Sequence, residues 1–183
     1  MENNIVVLGS KGQLGREFAK YAHKTKSAFT WIFIDRINLN LNKLTAETFS
    51  DFLNTHKPLL IINCAAYTNV DGAEKEKDLA FEINGKSVGI MIDILAKRCI
   101  PFIHFSTDYV FGDSSENFLK ITNEKKPLSV YGQSKLMGEE KIIKKINESY
   151  EKVFILRISW IFSSFGKNFV KTILKYANKQ SEI

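Results

Sequence analysis

Residues 5–15 read Ile-Val-Val-Leu-Gly-Ser-Lys-Gly-Gln-Leu-Gly, and this segment is the most informative about the architecture of the chain. Four apolar residues end at a glycine, which predicts a short strand buried in a parallel sheet. Gly9, Gly12 and Gly15 follow that strand and open a predicted helix over residues 14–23. Glycines let the backbone approach a pyrophosphate, whose negative charge is favoured at a helix N-terminus. The stretch therefore predicts a strand, a phosphate-binding turn and a helix in succession.

Strand and helix patterns alternate along the rest of the chain. Predicted strands cover residues 31–34, 59–63, 101–105 and 153–158, and predicted helices cover residues 45–56, 77–98, 131–146 and 168–177. This alternation predicts an α/β fold, a Rossmann-type doubly wound parallel sheet with helices on both faces. Right-handed crossovers favour the strand order 3-2-1-4-5. A polar loop is expected over residues 112–127, and residues 1–183 are expected to form one NAD(P)-binding domain because no linker divides them.

Composition and charge narrow the class of protein. The 183 residues carry a net charge of +6 from scattered lysines, without the basic stripe and interleaved aromatic residues of a nucleic-acid binder. No apolar run approaches the roughly 20 residues that span a bilayer, and the N-terminus does not resemble a signal peptide. We therefore expect a cytoplasmic protein without nucleic-acid or membrane partners. Cys64 and Cys99 are expected as buried free thiols, and no metal site is predicted because the histidines lack ligand spacing.

An acidic residue after the second strand bears on the choice of cofactor. Asp35 follows Gly15 by about 20 residues, where a carboxylate can hydrogen-bond an adenosine ribose 2′-hydroxyl. Arg36 would attract a 2′-phosphate that Asp35 repels, so NADH and NADPH both stay open as cofactors. Ala65 and Ala66 follow the third strand, where small side chains would let a dinucleotide lie against the strand end. Simple core packing is the alternative for these two alanines.

Three polar residues suggest chemistry beside that cofactor. Thr107 follows the fourth strand, and ligands of open α/β sheets bind beyond the carboxyl ends of strands. Tyr131 and Lys135 are four residues apart and share one helix face. Thr107 would hold a carbonyl oxygen that Tyr131 protonates, while Lys135 would lower the phenol pKa and bind the nicotinamide ribose. A turn cap and a solvated helix start are the alternatives, but the set indicates hydride transfer coupled to proton transfer.

Six stretches of the sequence resemble the extended short-chain dehydrogenase/reductase family, in its dTDP-4-dehydrorhamnose reductase branch. They are residues 9–15, 63–74, 81–84, 105–111, 131–135 and 157–162. The elements Ser-Thr-Asp-Tyr-Val-Phe and Val-Asp-x-Ala-Glu resemble that branch in particular. The glycine turn and Tyr-x-x-x-Lys are also similar to those of sugar-nucleotide epimerases and dehydratases.

The resemblance implies NAD(P)H-dependent reduction of the 4-keto group of dTDP-4-dehydro-L-rhamnose to dTDP-L-rhamnose, a step of nucleotide-sugar and cell-surface polysaccharide biosynthesis. It implies catalysis by Tyr131, Lys135 and Thr107. The implied dinucleotide contacts are Gly12, Gln13, Leu14, Asp35, Asn40, Leu41, Ala65, Ala66, Tyr67 and Phe105. Thr107, Asp108 and Trp160 would line the sugar. Asn40 departs from the family pattern, which often has an acidic residue there.

Other roles stay open within the same resemblance. Family members extend beyond the point reached at Ile183, so the C-terminal substrate-binding part is expected to be absent. A chain of this kind could instead be a non-catalytic NAD(P)-binding regulatory subunit. It could also be another nucleotide-sugar epimerase or dehydratase, although Tyr109 stands where a dehydratase usually has a second carboxylate. The expected partners are a nucleotide-sugar substrate and a second copy of the chain, since an uncovered sheet edge favours association.

Overall fold

The computed structural model describes residues 3–113 and 118–177, and its centre is a five-stranded parallel sheet in the order β2-β1-β3-β4-β5. The strands are β1 (Asn4–Leu8), β2 (Thr30–Ile34), β3 (Pro58–Asn63), β4 (Phe102–Thr107) and β5 (Val153–Ile158). Each of the five strand predictions is confirmed to within two residues at either end. None of the helices in the described ranges has the length and apolar character needed to cross a membrane.

Helices cover both faces of this sheet, as the alternation predicted. They are α1 (Gln13–Lys24), α2 (Ala46–His56), α3 (Val70–Lys75), α4 (Lys77–Phe81), α5 (Ser87–Lys97), α6 (Val130–Asn147) and α7 (Phe169–Ala177). Several helix starts have side-chain caps, among them those of α2 and α6. Thr45 and Thr48 exchange side-chain-to-backbone hydrogen bonds at α2, and the Ser129 hydroxyl accepts a hydrogen bond from the Gly132 N–H at α6. These caps satisfy N–H groups that have no partner within the helix.

The predicted strand order 3-2-1-4-5 was wrong, because β3 pairs with β1 on the side away from β2. Phe18 of α1 packs against the buried cluster that contains Val7 on one face of the sheet, whereas Phe49 of α2 belongs to the cluster that contains Val6 on the other face. A right-handed crossover through α2 must therefore carry the chain back past β1. The alternation of strands and helices in the sequence does not encode which face each helix covers.

The single helix predicted over residues 77–98 was also wrong in detail. It consists of α4, a π-helical turn (Glu82–Lys86) and α5, and the short helix α3 precedes it. The π turn buries Asn84 and Gly85. Helix α6 passes so close that a Cβ atom on Gly138 would clash with the Asn84 carbonyl oxygen. Such turns are rare and often lie at functional sites.

The two cysteines differ in their burial. Cys64 is a partly buried free thiol whose pKa is raised by burial to about 12, but Cys99 is exposed, contrary to its predicted burial. Cys99 lies at a left-handed backbone position after α5, where the chain turns at the surface.

Strand β5 is the outer strand of the described sheet and leaves Phe154 and Leu156 substantially exposed. Part of the predicted loop over 112–127, residues 114–117, lies outside the described residues.

Candidate active site

The glycine turn between β1 and α1 packs directly against the segment that follows β3. Gly9 has a φ of 78°, and a Cβ atom there would lie 2.6 Å from the Ala65 nitrogen. A Cβ atom on Gly15 would clash with the Gly9 carbonyl oxygen, and the Gly12 N–H donates to that oxygen at 2.9 Å. Only glycine fits at positions 9 and 15, so bare backbone meets the N-terminus of the twelve-residue helix α1. This arrangement suits a pyrophosphate.

A cavity of about 530 Å³ opens beside that turn. The predicted cofactor residues that line it are Gly9, Gly12, Asp35, Arg36, Asn40, Leu41, Ala65, Ala66 and Tyr67. Lining residues that the sequence did not single out include Lys11, Asn42, Leu79 and Ile83. The volume lies in the usual range of ligand pockets, about 300–1,000 Å³. The glycine cradle, the acidic residue and the pocket together fit a dinucleotide.

Six predicted cofactor residues do not line this cavity: Gln13, Leu14, Gly15, Phe105, Tyr131 and Lys135. The Gln13 side chain instead donates to the Ile161 carbonyl oxygen at 3.1 Å and accepts from Asn168 at 3.0 Å. It therefore ties α1 to the segment after β5. Phe105 packs against Phe18 on the α1 face of the sheet, with ring centroids 6.1 Å apart.

Charges of both signs meet at one wall of the cavity. The Asp35 carboxylate forms an ion pair with Lys11 and accepts a hydrogen bond from the Ile37 N–H at 2.8 Å. The hydrogen bond from Lys11 lowers the pKa of Asp35. Arg36 is exposed beside it. The Asn40 side chain accepts a hydrogen bond from the Asn42 N–H at 3.1 Å, so its oxygen is engaged by its own turn. Lys11 reaches Asp35 only because β1 and β2 are neighbours, so no local pattern in the sequence indicated this pair.

Asn84 links the cavity wall to the helix that carries Tyr131. Its side chain accepts from the Tyr67 N–H at 2.9 Å and donates to the Tyr67 carbonyl oxygen at 3.0 Å. It also donates to the Ser134 hydroxyl at 2.9 Å, which in turn donates to the Tyr131 carbonyl oxygen at 2.7 Å. No role was predicted for Asn84, although it lies in the stretch 81–84 on which part of the resemblance rests. The π turn directs its amide inward.

Thr107 and Tyr131 meet at the carboxyl end of β4. The Thr107 hydroxyl donates to an Asp108 carboxylate oxygen at 3.0 Å, and a side-chain hydrogen bond joins Thr107 to Tyr131. Burial raises the pKa of Tyr131, and the hydrogen bond with Thr107 only partly opposes this. The pKa of the phenol is thus raised rather than lowered in this structure, and the role of Lys135 at the phenol stays a prediction. The phenol is protonated at neutral pH and can act as a proton donor.

Lys135 lies in the core of the protein. Its side chain is almost completely buried, and its Nζ donates to the Phe105 carbonyl oxygen at 2.6 Å. Burial lowers the pKa of Lys135 to about 8, with Glu139 acting in the opposite direction. Arg157 binds Glu139 through two hydrogen bonds of 2.8 and 2.6 Å. A group with this pKa can change its charge near neutral pH.

The residues expected to line the sugar lie at the ends of β4 and β5. An Asp108 carboxylate oxygen accepts from the Ser159 hydroxyl at 2.5 Å, which joins the two strand ends. Trp160 is 74% exposed and packs edge-to-face on Phe169 at 4.9 Å. A smaller cavity of about 290 Å³ lies at Asp108 and Tyr109. Within residues 3–113 and 118–177, no group of three or more His, Cys, Asp or Glu side chains is placed to hold a metal ion.

Known proteins are similar to this chain in sequence and in fold. Residues 3–183 match the family model described as the RmlD substrate binding domain. The chain is 34% identical over 176 residues to a dTDP-4-dehydrorhamnose reductase of Aggregatibacter actinomycetemcomitans. The matched region covers 96% of this chain and 58% of that relative. The chain thus spans less than two thirds of the length of that relative.

Solved structures of the same kind superpose closely. The crystal structure of a dTDP-4-dehydrorhamnose reductase from Clostridium acetobutylicum has a TM-score of 0.88 at 32% identity, covering 98% of this chain and 61% of that one. A dTDP-4-dehydrorhamnose reductase from Bacillus anthracis in complex with NADP has a TM-score of 0.83 at 31% identity, with the same coverage of 98% and 61%.

Proposed function

This chain belongs to the RmlD substrate binding domain family, and on that premise we propose that it carries the cofactor site and the catalytic residues of a sugar-nucleotide reductase. The proposed reaction reduces the 4-keto group of dTDP-4-dehydro-L-rhamnose with NADPH or NADH. The observation that carries the proposal is the partly buried, protonated phenol of Tyr131, hydrogen-bonded to Thr107 on the sheet edge that also holds the glycine-lined cavity. The related reductases named above support the substrate class.

Different residues of the cavity would bind different parts of the dinucleotide. Backbone N–H groups at the start of α1 would bind the pyrophosphate, beside Gly9 and Gly12. Asp35 would accept from a ribose hydroxyl, and Lys11 and Arg36 would bind a 2′-phosphate. When bound, NAD(P)H supplies the hydride.

Lys11 gives a test of cofactor choice. It is paired with Asp35 in this structure, and a 2′-phosphate would offer it a second anion. Lys11→Ala should therefore weaken NADPH binding more than NADH binding, measured by fluorescence titration of the 183-residue chain. Lys97→Ala removes an exposed lysine on α5, away from the cavity, and should change neither affinity. If Lys11→Ala lowers the affinity for both cofactors equally, Lys11 does not recognise the 2′-phosphate.

Tyr131 and Thr107 would move and orient the proton. Thr107 positions the carbonyl oxygen, and Tyr131 gives its phenolic proton to that oxygen while the carbonyl carbon receives the hydride. Raising the pKa of Tyr131 by burial keeps the proton on the phenol until it is needed. Lys135, one helical turn further on, is a buried base whose positive charge would favour the phenolate left behind. The products are an alcohol and the oxidised cofactor.

Tyr131→Phe tests the catalytic part. We expect the chain to consume NADPH with dTDP-4-dehydro-L-rhamnose, and the variant to lose about 10²–10⁴-fold in turnover, the usual contribution of general acid catalysis. Cofactor binding should be largely retained, because Tyr131 does not line the cavity proposed to hold the dinucleotide. Tyr21→Phe removes the hydroxyl of an exposed tyrosine on α1 and is the matched control. NMR of the product would separate reduction from epimerisation or dehydration.

The outcomes separate the enzyme from a regulatory subunit. If the unaltered chain binds NADPH but its turnover is no faster than that of Tyr131→Phe, the catalytic proposal fails and the non-catalytic cofactor-binding role remains. If it binds neither cofactor, both roles fail. A cytoplasmic location and a homodimer stay predictions. Sedimentation of the chain tests the dimer, for which the exposed Phe154 and Leu156 of β5 are candidate contacts.

A further inference from the structure

The segment that joins β5 to α7, residues 159–168, crosses the first turn of α1, and we call it the crossing segment. Gly166 has a φ of 67°, and a Cβ atom there would lie 3.3 Å from the Gln13 Cβ. The Arg16 guanidinium, one turn further along α1, lies over the Phe165 ring at 4.4 Å from its centroid. The crossing segment therefore packs on the helix start that follows the glycine turn.

The Gln13 side chain binds the crossing segment near both of its ends. Its Nε2 donates to the Ile161 carbonyl oxygen at 3.1 Å, and its Oε1 accepts from the Asn168 Nδ2 at 3.0 Å. The Asn168 Nδ2 also donates to the Ser163 carbonyl oxygen at 2.9 Å, while the Asn168 Oδ1 accepts from the Lys171 N–H at 3.1 Å. Because carbonyl oxygens only accept and a backbone N–H only donates, each of the two amides fits in one orientation. Gln13 thus uses its donor and its acceptor at once.

Trp160 lies inside the crossing segment with a left-handed backbone, at a φ of 52°. A positive φ is unfavourable for a bulky residue and persists where the surrounding contacts enforce it. Both of its neighbours in the chain are held from outside the segment. The Ser159 hydroxyl donates to an Asp108 carboxylate oxygen at 2.5 Å, and the Ile161 carbonyl oxygen accepts from Gln13. The backbone of Trp160 is therefore fixed from both sides.

The ring of Trp160 depends on the same contacts. It packs edge-to-face on Phe169 with the centroids 4.9 Å apart, and Phe169 directly follows Asn168. Trp160 is 74% exposed, so its own burial adds little to hold it. Releasing Gln13 would free Ile161 on one side of the indole and Asn168, beside its ring partner, on the other.

We propose that Gln13 is a positioning residue, whose side chain holds Trp160 in place by binding both ends of the crossing segment. Its backbone lies at the start of α1, where the pyrophosphate would bind, so one residue connects the cofactor site to the wall expected for the sugar. The consequence for substrate binding rests on the proposed function, because Trp160 meets the sugar only in that proposal. The Gln13 side chain would touch neither the sugar nor the reacting atoms and would act through Trp160.

Two variants release the crossing segment from opposite sides. Gln13→Met keeps the length of the side chain but removes its donor and its acceptor. Asn168→Asp still caps the start of α7, but the Gln13 amide must then turn its oxygen toward either the new carboxylate or the Ile161 carbonyl. Lys24→Met on α1 and Asn147→Asp on α6 introduce the same side chains at exposed positions and are the controls.

The measurement is ¹⁵N relaxation of the 183-residue chain labelled at tryptophan, which needs neither a ligand nor turnover. The chain has two tryptophans, and Trp160→Phe assigns the backbone signal of Trp160. We expect an order parameter of about 0.85 for Trp160 in the unaltered chain and in both controls, and of less than about 0.6 in Gln13→Met and Asn168→Asp. Trp31 lies in β2 and should stay rigid throughout, which separates a released segment from a general loss of structure.

A mobile Trp160 in the unaltered chain, or a rigid one in either variant, would overturn the proposal. Both variants should fold, because the bond from Gln13 to Ile161 lies at the surface, and the Trp31 signal checks this. Titration of Gln13→Met with NADPH gives a second readout. A large loss of affinity with Trp160 still rigid would assign the side chain to the dinucleotide instead.

The proposed function and the role of Gln13 can fail separately. If both variants release Trp160 in a chain that binds no cofactor, the proposed function fails and the assignment of Gln13 stands. If the chain is active, both variants should raise the KM for the sugar nucleotide several-fold and change kcat little, because Trp160 would contribute to binding rather than to the chemical step. A fall in kcat at unchanged KM would contradict a role through Trp160.

Discussion

The substitution Glu139→Gln should cost this protein a substantial part of its stability. The Glu139 side chain is fully buried on α6, and its carboxylate accepts two hydrogen bonds from Arg157 on β5, at 2.8 and 2.6 Å. Glutamine keeps the shape but removes the charge and turns an N–H group toward one guanidinium nitrogen. Removing one partner of a buried ion pair typically costs about 3–5 kcal/mol.

The structure places the expected loss at the lower end of that range. The Arg157 side chain is 16% exposed, so water compensates part of the charge that Glu139 leaves behind. A loss of about 3 kcal/mol corresponds to a fall in Tm of about 6–12 °C for a chain of this size. Circular dichroism with heating and with urea measures both quantities.

The neighbouring Glu140 is the matched control, because it is exposed on the same helix. Glu140→Gln should change stability by less than about 0.5 kcal/mol. The double variant Glu139→Leu/Arg157→Met should be more stable than Glu139→Gln, since it removes both charges from the interior. If Glu139→Gln unfolds at the same temperature as Glu140→Gln, the ion pair does not hold α6 on β5 and the reasoning is refuted.

Two other perturbations test the glycine turn and the buried histidine. Gly9→Ala should lower Tm and abolish NADPH binding, because the new Cβ would lie 2.6 Å from the Ala65 nitrogen at a φ of 78°. Gly89→Ala, which meets only the flexible side chain of a lysine, should be neutral or stabilising, and equal Tm values for the two would contradict the close-packing argument. Burial depresses the pKa of His104, so below pH 6.5 the unfolded chain binds a proton that the folded chain does not. Stability measured by urea unfolding should therefore fall as pH drops below 6.5, and this slope should disappear in His104→Phe but persist in His23→Gln.

Local patterns were enough to predict most of the secondary structure and the outline of the site. The apolar runs predicted the strands, because a buried parallel strand reads as consecutive branched apolar residues. Gly9, Gly12 and Gly15 predicted the turn, and the four-residue spacing of Tyr131 and Lys135 correctly placed both on one helix. The roles assigned to these residues stay predictions until binding and turnover are measured.

Most helices and strands of this protein can therefore be predicted locally, since spacing, glycines and caps act over a few residues. The strand order instead follows from tertiary packing, because the direction of a crossover depends on which face α2 covers. It also paired Lys11 with Asp35 across neighbouring strands and turned Asn84 inward through a π turn. The pKa of Tyr131 moves opposite to the local expectation, because spacing along a helix does not reveal how deeply a phenol is buried or where a neighbouring amine points. Burial and long-range contacts are properties of the packed chain, and in this protein they set the protonation of the catalytic candidates.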